Sequence, residues 1–261
     1  MMKNARSIPS LFDGFKMVQR KIFFTCLQLN NDQHEVKILQ LAGSISDLCA
    51  YHHGENSSIS AIIKLAQNFT GSNNINVIRG IGQFGTRLKG GTDSAYPRYI
   101  STILSPLAKK LFPPLDYPLL SYLYDDNHSI EPEFYVPIIP MVLVNGAEGL
   151  GSTYNTKVPK YNPLDIVHNI KRMLRNEEPL EMKPWYKDFR GTVEEVEPMK
   201  YVIKGVVAKL DDETIEISEL PIGTWTEDYK YKILEPMLHG TEKSPPLIND
   251  YKDYHTTTSV K

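Results

Sequence analysis

The run Gln19-Arg20-Lys21-Ile22-Phe23-Phe24-Thr25-Cys26-Leu27 spaces its apolar residues for one face of a helix, with Arg20 and Lys21 near its start. Residues 36–50 repeat that spacing through Val36, Leu39, Ile45 and Leu48, and the pattern stops at Ala50-Tyr51-His52-His53-Gly54. A third helix is expected from Asn56 or Ser57, either of which can cap it, and carries Ile59, Ile62, Ile63, Ala66 and Phe69. Two helices joined by a short glycine-containing turn have the form of a helix-turn-helix, a form that many helical hairpins share.

Glycines then interrupt the helical period at Gly71, Gly80, Gly82, Gly85, Gly90 and Gly91. Short strands at 76–79 and 84–88 are expected to form a hairpin there, and a helix is expected over 97–111 until Pro113-Pro114 breaks it. Beyond residue 130 the pattern becomes that of strands. Residues 135–144 are an apolar run containing Pro137 and Pro140, and Asn145-Gly146-Ala147-Glu148-Gly149-Leu150-Gly151 is a glycine loop. Alternation predicts strands at 192–196, 200–203, 206–210 and 214–220, and helical spacing recurs at 165–175 and 226–238. The fold class is α+β, with a composition break near 113–130 that puts domains at 1–115 and 116–261.

Charge sharpens this division. The whole chain has a net charge of -2, but residues 1–112 hold 13 Lys and Arg against 6 Asp and Glu, while residues 113–261 hold 16 against 25. A basic first half joined to an acidic second half puts any polyanion contact in the first half. Arg20, Lys21, Arg87 and Lys89 are the candidate phosphate contacts. The longest apolar stretches are too short and too proline-interrupted to span a bilayer, and the charged start lacks the apolar core of a signal peptide. Cys26 and Cys49 are too few for a disulfide scaffold or a four-thiolate metal site, which fits a reducing compartment.

Several local motifs lack the context their chemistry needs. Gly80-Ile81-Gly82-Gln83-Phe84-Gly85 matches G-x-G-x-x-G, but the following Thr86-Arg87-Leu88-Lys89-Gly90-Gly91 is a poor helix. His52-His53 has only Glu55 nearby as a further metal ligand, and Ser94 has no elbow motif or neighbouring histidine. The segment from Gln83 to Ile100 is richer. It places Arg87, Lys89 and Arg98 on a glycine-permitted loop that ends at Tyr99, a set suited to phosphate contact. A phenol beside a guanidinium can accept a phosphoryl group if its pKa of about 10 is offset by a neighbouring cation or base. The plainer expectation packs Tyr99 in the core beside Ile100 and leaves Arg98 in solvent.

Ordered motifs decide between these readings. Arg6-Ser7-Ile8-Pro9-Ser10, Gln19-Arg20-Lys21, Gln40-Leu41-Ala42-Gly43, Tyr51-His52-His53-Gly54-Glu55, Ala66-Gln67-Asn68-Phe69, Gly71-Ser72-Asn73-Asn74, Ile81-Gly82-Gln83-Phe84-Gly85-Thr86-Arg87, Pro97-Arg98-Tyr99, Asn145-Gly146-Ala147-Glu148-Gly149, Ile215-Glu216-Ile217-Ser218-Glu219-Leu220-Pro221 and Leu234-Glu235-Pro236-Met237-Leu238 follow one another. Together they closely resemble the breakage-reunion region of eukaryotic-type type IIA DNA topoisomerases, from about Arg6 to Lys261. The resemblance implies a winged-helix domain followed by a mixed α/β tower domain. It implies that Tyr99 forms a transient 5′-phosphotyrosyl bond with DNA, that Arg98 stabilises charge on the phosphoryl transition state, and that His53 lies near the scissile phosphate. It adds Arg6, Lys16 and Ser94 to the DNA-facing residues, and makes Leu150 an apolar wedge between base pairs, where the family has isoleucine.

The chain departs from the family pattern at several positions. Lys16 is followed by Met17-Val18 where a proline is usual, Tyr96 stands in place of serine, Thr153-Tyr154 replaces Gly-Trp, and Gly223 replaces arginine. The family's metal-binding Toprim motifs, its ATPase domain and its C-gate are not found within these residues, so Mg²⁺ and ATP are expected to act only through those other domains. The resemblance implies a nuclear protein that binds double-stranded DNA, as a homodimer or as the partner of a Toprim-bearing chain, with no membrane association. The alternative is a truncated, non-catalytic paralogue that binds DNA or a topoisomerase.

Overall fold

The computed structural model describes residues 6–29, 32–51, 54–151, 154–240 and 245–261, which form two compact units. The first comprises 1–68, 72–84 and 95–186, and the second comprises 69–71, 85–94 and 187–261. These units do not follow a division at 115/116. Tyr135, Ile139, Met141, Val144 and Ile166 are buried in the same core as Phe23, Ile62 and Phe112, so the chain beyond 115 completes the first core.

Three helices open the first unit: α1 (Met17–Gln28), α2 (Ile38–Cys49) and α3 (Glu55–Ala66). Helices α1 and α3 bury the apolar face that their period predicts, Ile22, Phe23 and Cys26 on α1 and Ile59, Ile62 and Ile63 on α3; α2 instead buries Ile38, Leu41, Ala42 and Ile45, while Leu39 and Leu48 of its expected face are exposed. The α2 helix ends where Ala50 turns left-handed, and Gly54 at a φ of 87° starts α3. Strands β1 (Val36–Lys37), β2 (Ile78–Ile81) and β3 (Ser101–Leu104) form an antiparallel sheet in the order β1-β3-β2. Ile78 pairs with Leu104, Ile81 with Ser101, and Lys37 also with Ser101.

This sheet corrects two expectations. Residues 97–111 are not one helix: β3 takes their centre and only Ala108–Leu111 (α4) is helical. Thr102 and Ile103 are β-branched, and the buried backbone of Ser101 and Thr102 finds its partners in the ladder between β1 and β2. Residues 84–88 form no strand. Gly85 lies against Gly91, and a Cβ there would come within 2.6 Å of the Gly91 backbone, so the segment folds back on itself.

Phe15, Phe23, Phe112 and Tyr135 form an aromatic cluster with centroids 4.8–5.8 Å apart. The apolar run at 135–144 reaches this cluster without forming a strand. Pro137 and Pro140 lack amide donors, and Pro140 leads into α5 (Met141–Val144) instead. Hairpins β4 (Tyr122–Asp125)–β5 (His128–Pro132) and β6 (Ala147–Leu150)–β7 (Asn155–Val158) follow. Helix α6 (Pro163–Met173) is capped by Asn162, whose side chain accepts the Leu164 amide at 2.9 Å.

In the second unit the expected alternating segments are hairpins β8 (Thr192–Glu197)–β9 (Lys200–Lys204) and β10 (Val206–Lys209)–β11 (Ile215–Glu219). The last helical stretch runs as α7 (Thr226–Tyr229), a π-helical turn (Lys230–Leu234) and α8 (Glu235–His239). No helix among the described residues is long and apolar enough to cross a membrane.

Candidate functional site

Tyr99 stands at the entrance to β3. The next residue, Ile100, is buried, and its carbonyl accepts the Ile38 amide at 3.2 Å. Gly82, at a φ of 106°, lets the chain pass Ile100 so closely that a Cβ would lie 2.7 Å from the Ile100 side chain. The Ala95 amide donates to the Gln83 carbonyl at 2.8 Å, and the Tyr99 amide donates to the Tyr96 carbonyl at 2.9 Å. The turn before β3 is therefore held at both ends. It turns Tyr99 outward, with 69% of the residue exposed. Core packing of Tyr99, the plainer expectation, is overturned: Ile100 fills the core and Tyr99 does not.

Arg98 is exposed beside it. Its guanidinium carbon lies 4.9 Å from the centre of the Tyr96 ring and 5.6 Å from that of Tyr99. Among the described residues no carboxylate lies within ion-pair distance of Arg98. A cation with unclaimed donors thus sits next to an exposed phenol, an arrangement that can receive a phosphate diester. His53 lies outside the described residues.

The other basic candidates divide sharply. Arg20 is buried and forms a two-pronged contact with Asp13, Nε to Oδ2 at 2.7 Å and a terminal nitrogen to Oδ1 at 3.0 Å. Asp13 also accepts the amides of Phe15 and Tyr135, so this ion pair ties α1 to the aromatic cluster. Lys21 is buried against Glu131 at 2.7 Å and donates to the Cys49 carbonyl at 2.6 Å. Arg87 is buried against Glu219. These three cations are neutralised inside the fold, which corrects the expectation that they are surface phosphate contacts. Asp13 lies only seven residues before Arg20, whereas Glu131 and Glu219 lie too far along the chain for local sequence to reveal them.

Arg6 and Lys89 are exposed, and Lys16 is half-buried. Lys89, half of whose side chain is in solvent, lies 3.4 Å from the partly exposed Glu227, a weak pairing. Ser94 is half-buried. Leu150 is 75% exposed at the end of β6, where it pairs with Asn155. The preceding Gly149 packs on Ser7 and Ile8, which draws the segment after Arg6 against the base of this hairpin.

Among the described residues no three-ligand group that could hold Mg²⁺ lies by Tyr99. Asp93, the nearest acid in sequence, is engaged by the Thr86 amide at 2.8 Å and the Thr86 hydroxyl at 2.6 Å. No group of three His, Cys, Asp or Glu among the described residues is arranged to hold a metal ion. Two residues that the sequence offered without these contacts belong to the description: Glu219, which anchors Arg87, and Tyr96, whose ring lies nearer to Arg98 than that of Tyr99.

The chain is 60% identical to DNA topoisomerase 2-alpha of Sus scrofa and of Homo sapiens over 258 residues, which is 99% of this chain and 17% of each of those proteins. It is 58% identical to DNA topoisomerase 2-beta of Gallus gallus, of which it covers 16%. It thus spans about a sixth of the length of these relatives. Its fold matches the crystal structure of the Plasmodium falciparum topoisomerase II DNA-binding, cleavage and re-ligation domain with a TM-score of 0.95 and 44% identity, over 99% of this chain and 35% of that one. The family model for the A subunit of DNA gyrase/topoisomerase IV matches residues 6–261, and the chain belongs to that family.

Proposed function

We propose that this chain is the DNA cleavage and religation segment of a type II DNA topoisomerase, with Tyr99 as its nucleophile. The observation that carries this reading is the exposed Tyr99 phenol with the unpaired Arg98 guanidinium beside it. Helices α1–α3 and the β1-β3-β2 sheet act as a winged helix that holds duplex DNA, and the β6–β7 hairpin offers Leu150 as a wedge that bends it.

In the cleavage step the Tyr99 Oη loses its proton to solvent and bonds to the phosphorus of one strand. The bond to the neighbouring 3′ oxygen breaks, and that oxygen takes up a proton. The product is a 5′-phosphotyrosyl link and a free 3′ hydroxyl, and religation runs the same exchange backwards. Arg98 offsets charge that builds on the non-bridging oxygens, and His53 is the second donor in this reading. The divalent ion is supplied by a Toprim domain and ATP by an ATPase domain, both outside these residues. The working assembly is a dimer on DNA in the nucleus.

The test combines the purified chain with a Toprim-bearing fragment, Mg²⁺ and duplex DNA. Covalent protein–DNA adducts are expected, and Tyr99→Phe is expected to abolish them with noncovalent affinity nearly unchanged. No adducts from the unmutated chain with a competent Toprim partner would leave a non-catalytic DNA-binding role.

A further inference from the structure

Arg98 is held in an unusual way for a surface arginine. Most positioned arginines are fixed by a carboxylate, which consumes the in-plane N–H donors and cancels the charge. Here the guanidinium is set against aromatic faces, with the Tyr96 ring nearer than the Tyr99 ring. A cation–π contact holds the guanidinium without a carboxylate and so without cancelling its charge. Tyr96 is 62% exposed, so it is not a core side chain that Arg98 happens to cover. The Tyr99 amide bond to the Tyr96 carbonyl fixes the spacing of the three residues.

From this geometry we infer that Tyr96 is a positioning residue for the reaction at Tyr99. It holds the Arg98 guanidinium beside the nucleophile before DNA arrives, without neutralising it, so that the forked donors face an incoming phosphate diester. The inference rests on the proposed role of Tyr99 and extends it. Tyr96 makes no bond to the phosphate in this account. Its effect is to hold Arg98 where charge builds as the phosphorus is attacked, an interaction stronger in the transition state than in bound DNA, so it acts on the rate and little on binding. The ring is the active part and the Tyr96 hydroxyl is dispensable.

The experiment compares Tyr96→Phe and Tyr96→Leu with the unmutated chain, each mixed with the same Toprim-bearing fragment, Mg²⁺ and a nicked duplex. The rate of adduct formation at saturating DNA and the noncovalent dissociation constant are read separately. Tyr96→Leu is expected to slow adduct formation about two- to fivefold, the size of one exposed cation–π contact, with the dissociation constant unchanged. Tyr96→Phe is expected to match the unmutated rate. Thermal melting of each variant checks that the fold is intact, which the exposure of Tyr96 favours. An unchanged or faster rate in Tyr96→Leu overturns the inference, and so does a Tyr96→Phe as slow as Tyr96→Leu. Absence of adducts from the unmutated chain refutes the nucleophile reading instead, so the two failures are distinct.

Discussion

Glu219 pairs with Arg87 inside the second unit although the two residues are 132 positions apart. The same carboxylate accepts the Arg190 amide at 3.3 Å and its neighbour Leu220's amide at 3.0 Å. Around this pair the Thr226 and Glu227 amides donate to the Arg87 and Leu88 carbonyls, and Gly90 packs so closely on the Trp225 indole that no Cβ would fit. The glycine loop at 85–94 is therefore fastened to β11 and α7. Its glycines serve backbone approach here, and no nucleotide cradle is needed to account for them.

Glu219→Ala should destabilise the second unit by about 3–5 kcal/mol, because it strands a buried guanidinium and two amides at once. Urea unfolding followed through Trp225 fluorescence measures this. A change below about 0.5 kcal/mol, the usual range for a surface substitution, would contradict the anchoring role.

The exposed cations should carry the salt dependence of DNA binding. Lys89→Ala is expected to reduce the slope of log affinity against log salt by about 0.9, the contribution of one phosphate contact. Fluorescence anisotropy with a short duplex at several salt concentrations reads the slope. An unchanged slope would remove Lys89 from the interface.

Leu150→Ala should leave thermal stability within about 0.5 kcal/mol, since the side chain is mostly in solvent. DNA bending, read by energy transfer between the ends of a labelled duplex, should fall. A loss of about 3 kcal/mol or more, as for a core leucine, would instead show that Leu150 packs inside.

Local periodicity is a good guide wherever an element satisfies its own needs. The apolar spacing of α1 and α3 and the alternation of β8 to β11 are legible because each carries its own face or its own turn. It misleads where distant chain completes the structure. The strand at Ser101–Leu104 exists because β1 and β2 flank it, and within 97–111 only the β-branched Thr102 and Ile103 hint at it. The same holds for charge. Basic composition cannot distinguish a phosphate contact from half of an ion pair, and Arg20, Lys21 and Arg87 meet acids 7, 110 and 132 residues away. Ordered motifs single out Tyr99 and Leu150 as candidates, and both side chains are exposed; Tyr99's outward placement depends on Ile100 taking the core position.

The central claim is that Tyr99 is the residue that becomes linked to DNA. The direct measurement traps the adduct formed with a Toprim-bearing fragment and Mg²⁺, digests the DNA and the protein, and locates the nucleotide-bearing peptide by mass spectrometry. A single modified tyrosine is expected, Tyr99, joined through a 5′ phosphate. A nucleotide on any other residue, including the exposed Tyr96 three positions earlier, would contradict it.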